Sequence, residues 1–93
     1  MNDVNFKRVA YALDDCYWNE PDDEQALQNL AEKFLAQPDI GREFLAALDL
    51  VVAAGDRAQC RILVENHANR YMSGGEEAYL WLRTLKERLD SSR

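Results

Sequence analysis

Residues 39–55, DIGREFLAALDLVVAAG, decide the fold class. Ile40, Phe44, Leu45, Leu48, Val51 and Val52 recur at three- and four-residue steps, so the stretch reads as one amphipathic helix. Asp39 is placed to cap its start, and Gly55 to end it in the left-handed conformation. Gly41 weakens the first turn slightly.

The same reading extends outward in both directions. Pro38 restricts the residue before it and so closes a preceding helix near Gln37. That helix carries Ala26, Leu27, Leu30, Ala31, Phe34 and Leu35 on one stripe. Pro21 suits its first turn, and Asp22, Asp23 and Glu24 set carboxylates beside its partly positive N-terminus. Farther back, Phe6, Val9, Ala10, Leu13 and Cys16 or Tyr17 define a helix from about Asp3 to Tyr17. After Gly55, Asp56-Arg57-Ala58-Gln59 has the reciprocal capping pattern, and a fourth helix should place Cys60, Leu63, Val64, His67 and Tyr71 on one face, with Ile62 to one side. Ser73-Gly74-Gly75-Glu76 repeats the capping pattern. The fifth helix then presents Ala78, Leu82, Leu85 and Leu89, with Tyr79 and Trp81 widening the stripe. Asp90-Ser91-Ser92-Arg93 is expected to fray. No segment shows the two-residue period of a strand, and the connections are short. The expectation is an all-α chain: residues 1–93 as one domain, a compact bundle of about five short helices.

Composition agrees. The chain has 93 residues, 47% hydrophobic and 30% charged, enough for one core and unlike a disordered tail. The start, Met1-Asn2-Asp3-Val4, lacks the basic and apolar run of a signal peptide, and no stretch approaches the roughly 20 apolar residues of a membrane span. A cytoplasmic protein without membrane contact is expected. Cys16 and Cys60 match no metal-ligand spacing and read as reduced, buried thiols.

Charge is unevenly spread. The net value is −6, yet Asp14 to Glu32 holds seven acids and no base, while the other residues hold ten acids and eleven bases. Direct binding of nucleic acid, which relies on clustered Lys and Arg, is disfavoured, and a basic protein partner is the natural inference. Asp14, Asp15, Glu20, Asp22, Asp23 and Glu24 are the candidate attracting groups, with Tyr17 and Trp18 as candidate anchors, because aromatics with polar tips bury large areas at interfaces. Tyr17 and Trp18 could equally close the end of the core. The inference of a basic partner requires these carboxylates to share a surface and to remain free of cations from distant helices.

Catalytic chemistry finds little support. His67, the single histidine, shares a face with Leu63, Val64 and Tyr71 and reads as a satisfied core or boundary residue. A Cys-His pair would need a thiol within hydrogen-bond reach and a third orienting group, which nothing local supplies. P-loop, dinucleotide-turn, zinc-protease and nucleophile-elbow motifs are missing from the sequence. Asp22-Asp23-Glu24 lacks the alternating ligands and central glycine of an EF-hand loop, so neither a metal nor another cofactor is expected. A non-enzymatic binding protein is the expected class.

Three segments resemble a known family. Tyr11-Ala12-Leu13-Asp14-Asp15-Cys16, the acidic start Asp22-Asp23-Glu24-Gln25-Ala26-Leu27, and Tyr71 followed by Ala78-Tyr79-Leu80-Trp81-Leu82-Arg83-Thr84-Leu85-Lys86-Glu87-Arg88-Leu89 resemble an all-helical group of immunity proteins from bacterial contact-dependent growth inhibition systems. Cys16 stands where that group has tryptophan, and its first aromatic pair is reduced to Tyr11. The resemblance implies a cytoplasmic protein that binds and neutralises a cognate toxin domain, often a basic nuclease, with Tyr11 and Asp15 in the binding role. Two other classes stay open. One is an acidic phage-type inhibitor imitating nucleic acid, which needs acids spread along a surface. The other is a small adaptor or assembly domain whose apolar stripe binds a partner or a second copy.

Overall fold

The computed structural model describes residues 3–91, and every element in that span is helical. The order is α1 Asp3–Cys16, α2 Asp23–Ala36, α3 Pro38–Ala54, α4 Arg57–Ile62, a π-helical segment Leu63–His67 and α5 Gly75–Ser91. Asp90 and Ser91, expected to fray, instead form the end of α5, while Ser92 and Arg93 lie outside the described residues, as do Met1 and Asn2.

Helix ends follow local chemistry, with three corrections to the sequence reading. Asp22 is the N-cap of α2, its carboxylate accepting from the Glu24 amide at 3.0 Å, so Pro21 precedes the helix and does not enter its first turn. Pro38 takes the first position of α3, which moves Asp39 from cap to first turn, where it pairs with Arg42. Before α5, the Ser73 amide donates to Glu77 at 3.2 Å, while Glu76 instead accepts from Arg57 Nε at 2.7 Å and so ties α5 to α4. One expectation holds as drawn and a second in its first half, the return bond to the Gln59 side-chain oxygen not forming. Gly55 ends α3 at φ 64°, and Asp56 caps α4 by accepting from the Gln59 amide at 3.1 Å.

One buried cluster joins all the helices. Val9 and Leu13 of α1, Leu30 of α2, Phe44 and Leu48 of α3, Cys60, Leu63 and Val64, and Leu82 of α5 are excluded from solvent. α1 packs chiefly on α3, and α4 on α5. Leu35 departs from its expected stripe and is 82% exposed, because it falls in the last turn of α2.

The fourth helix is the main departure from expectation. After Ile62 the turn widens: the Ala68 amide donates to the Leu63 carbonyl and the Arg70 amide to the Val64 carbonyl, both at 3.1 Å. The wider turn lets adjacent Leu63 and Val64, together with Ala68, all face inward. Asn69 then adopts φ 58°, a left-handed conformation that asparagine tolerates, and the helix stops. Tyr71 is therefore off the helix and 86% exposed, instead of on its buried face.

Gly41 marks a close approach of α2 and α3. A Cβ added there would lie 2.9 Å from Phe34 Cβ and 3.0 Å from its Cγ. The gain in helix propensity from Gly41→Ala, about 1 kcal/mol, is outweighed by displacing Phe34 from its packing on Phe44, 5.2 Å between ring centres. We expect a net loss of about 1–2 kcal/mol by urea unfolding; unchanged or higher stability would show that the two helices separate freely.

Candidate functional site

The acidic segment forms the turn between α1 and α2, and the loop after the π-helical segment packs against it. Arg70 holds the two together. Its Nε lies 2.5 Å from Asp23 Oδ1, its Nη2 donates to the Glu20 carbonyl at 2.6 Å, and its Nη1 donates to the carbonyls of Ala68 at 2.9 Å and Tyr17 at 3.2 Å. The guanidinium also sits 5.3 Å from the centre of the Tyr17 ring. Asn69 adds a bond from Nδ2 to the Trp18 carbonyl at 3.2 Å. Main-chain carbonyls freed where α1 ends thus find donors from the opposite loop.

The six candidate carboxylates do not act as one group. Asp14 and Asp15, adjacent in the last turn of α1, diverge: Asp14 Oδ1 lies 2.9 Å from His67 Nδ1, whereas Asp15 pairs with Lys33 of α2. Asp23 is taken by Arg70, and Glu24 forms a two-oxygen pair with Arg88 of α5, one contact being 2.8 Å. Among the described residues, Glu20 and Asp22 bond to main-chain amides alone, those of Asp22 at 3.3 Å and Glu24 at 3.0 Å. Six carboxylates therefore face three permanent cations, Lys33, Arg70 and Arg88, leaving a formal charge of −3 with His67 neutral. Much of the excess that is concentrated along the chain is cancelled in space. These contacts bear on proton binding: the Arg88 hydrogen bond holds Glu24 below the ordinary carboxylate range, and the Asp15 bond raises Lys33.

The aromatic pair divides. Tyr17 is 2% exposed and meets the Trp81 ring edge-on at 5.3 Å, so it closes the core and is not an exposed anchor. Trp18 is 43% exposed. Since Asn69 and Arg70 bind the Trp18 and Glu20 carbonyls, Trp18 and Tyr71 belong to the same end of the bundle, with Glu20 and Asp22 beside them. Beside this end runs a groove of about 340 Å³ floored by Leu27, Met72 and Trp81, with Asp23 and Arg88 on its rim.

Sequence reading missed Asn69 and Arg70 and set Tyr71 on a helix face instead of at this end of the bundle. An Asn-Arg step without a following glycine is a faint stop signal, and only the widened turn brings it to this place. His67 has an imidazole–carboxylate contact and an edge-on Phe6 ring at 6.0 Å. Among the described residues neither cysteine thiol bonds to it, and burial raises both thiols above their ordinary range, opposing nucleophilic thiolate. No group of three His, Cys, Asp or Glu among the described residues could hold a metal ion, and no described helix is long and apolar enough to cross a membrane.

The fold defines the class of the chain as an all-α helical bundle. Comparison with family models, curated proteins and solved structures gives no match that would place it more narrowly.

Proposed function

We propose that this chain is a binding protein of the immunity kind, which neutralises a toxin domain by covering it with the Trp18–Tyr71 end of the bundle. The observation that carries the reading is two exposed aromatic rings on two loops that Arg70 and Asn69 lock to each other. Rigid aromatic side chains give large contact area at small entropic cost. The condition set for a strongly basic partner is met only in part, since Asp15, Asp23 and Glu24 are paired with Lys33, Arg70 and Arg88; what attraction remains comes from Glu20 and Asp22, whose described bonds are to main-chain amides. Compared with the sequence reading, weight moves from charge to aromatic contact. The resemblance to contact-dependent growth inhibition immunity proteins supports the choice of a toxin as partner, and a cytoplasmic location follows from that role.

The test is binding to, and protection of growth against, the toxin domain encoded beside this chain's own gene. Trp18→Ala with Tyr71→Ala should weaken the complex by about thirtyfold or more, mainly through faster dissociation. Glu20→Lys with Asp22→Lys should slow association and flatten its dependence on salt. Unchanged kinetics in both variants would move the interface elsewhere, and failure of the wild-type chain to bind or protect would end the immunity reading.

A further inference from the structure

On the α1–α3 side, away from the loops just described, α1 carries a second stripe besides its core face. Val4, Lys7, Arg8 and Tyr11 fall at positions i, i+3, i+4 and i+7, so they share one side of the helix. Facing them, Ile40 and Glu43 rise from α3 over buried Phe44, and together they form a groove of about 340 Å³. Tyr11 is 72% exposed, and Val4 and Ile40 are also open to solvent, although none is needed to close the core.

The charge at this groove is opposite in sign to that of the chain. Lys7, Arg8 and Lys33 line it against one carboxylate, Glu43, in a protein of net charge −6. Lys33 is shared with Asp15 and lies 5.5 Å from the centre of the Tyr11 ring. Arg8 reaches Glu43 only at 3.9 Å, and Lys7 makes no ion pair among the described residues. Among the described residues, Lys7 and Arg8 thus set positive charge beside exposed apolar side chains. A second copy fits poorly, since two-fold pairing would set these cations against one another.

The geometry points to a second docking surface, in which the α1–α3 groove receives an acidic amphipathic segment of a partner protein. Its apolar side chains rest on Val4, Tyr11 and Ile40, and its carboxylates meet Lys7 and Arg8, the arrangement of a helix laid in a groove. The surface is independent of the Trp18–Tyr71 end.

Fluorescence anisotropy with a short labelled helix-forming peptide, leucine at three- and four-residue steps and glutamate at most other positions, tests the assignment. A matched peptide with lysine for glutamate is the control. The glutamate peptide should bind and the lysine peptide should not; Tyr11→Ser and Lys7→Glu should each weaken binding about tenfold, and Trp18→Ala should leave it unchanged. All three side chains are exposed or half-exposed, and a circular dichroism melt checks that the variants fold. Equal binding of the lysine peptide, or no effect of Tyr11→Ser and Lys7→Glu, overturns the assignment. So does loss of binding in Trp18→Ala, which would put the peptide at the other end, or sedimentation of the chain as a dimer that Tyr11→Ser dissolves. Toxin binding that fails while the peptide result stands would defeat only the immunity reading.

Discussion

Tyr17→Ala should cost about 4 kcal/mol of folding stability, measured by urea unfolding, because it empties a fully enclosed aromatic site at the junction of α1, α5 and the Arg70 loop. Tyr17→Phe should retain nearly all of the packing and lose less than about 1 kcal/mol. A contact anchor would give the reverse pattern, with little change in stability and a large change in partner affinity. The phenol adds a dependence on pH. Burial, assisted by the Asp23 carboxylate and opposed by Arg70, pushes it up from its ordinary value of 10.0. The unfolded chain ionises first as pH climbs past about 10, so stability present below that point is lost toward the higher folded value. Tyr17→Phe should flatten this alkaline limb; the portion that Cys16 and Cys60 contribute, through thiols likewise raised by burial, should survive. An alkaline profile identical in wild type and Tyr17→Phe would contradict the burial of this ring.

The second large effect is expected from Arg70→Ala, at about 3 kcal/mol. The Arg70 side chain is only 13% exposed, so its removal takes sheltered donors from the carbonyls of Tyr17, Ala68 and Glu20 and opens a gap at the loop junction, while the Asp23 carboxylate, 53% exposed, returns to water. Arg70→Lys should recover part of the loss, since one ammonium cannot hold the carboxylate and three carbonyls in the same planar arrangement. Hydrogen exchange should rise in the turn between α1 and α2 and around Ala68 in the alanine variant. Wild-type stability and protection would show that the two loops keep their places without the guanidinium.

The contrast between these residues explains what could be read from the chain. Ile40 to Val52 reported its helix directly, because three- and four-residue spacing is a local property that packing reinforces. Gly55 and Asp56 were equally legible, since their conformational and capping preferences act within a few residues. Tyr71 was misplaced because the period 60–64–67–71 assumes a regular helix, whereas burial of both Leu63 and Val64 requires the wider turn. The charge of the acidic segment was correctly located along the sequence. Its compensation by Lys33, Arg70 and Arg88 was not, because ion pairs between residues 18 to 64 positions apart leave no local pattern. Trp18 could be seen as an aromatic near acids, but its exposure and the enclosure of its neighbour Tyr17 depend on α5, through Trp81.

The Arg70 tie has one more effect. It stitches carbonyls 50 and 53 positions upstream to a loop that follows most of the core-forming segments, so neither half of the proposed recognition surface can be prepared early. A nascent or proteolytically nicked chain would display Trp18 on an unanchored turn, with nothing to fix its bearing relative to Tyr71. Competence to grip a target would then arrive in the same cooperative step as the finished globule, and half-made copies would not occupy the target unproductively.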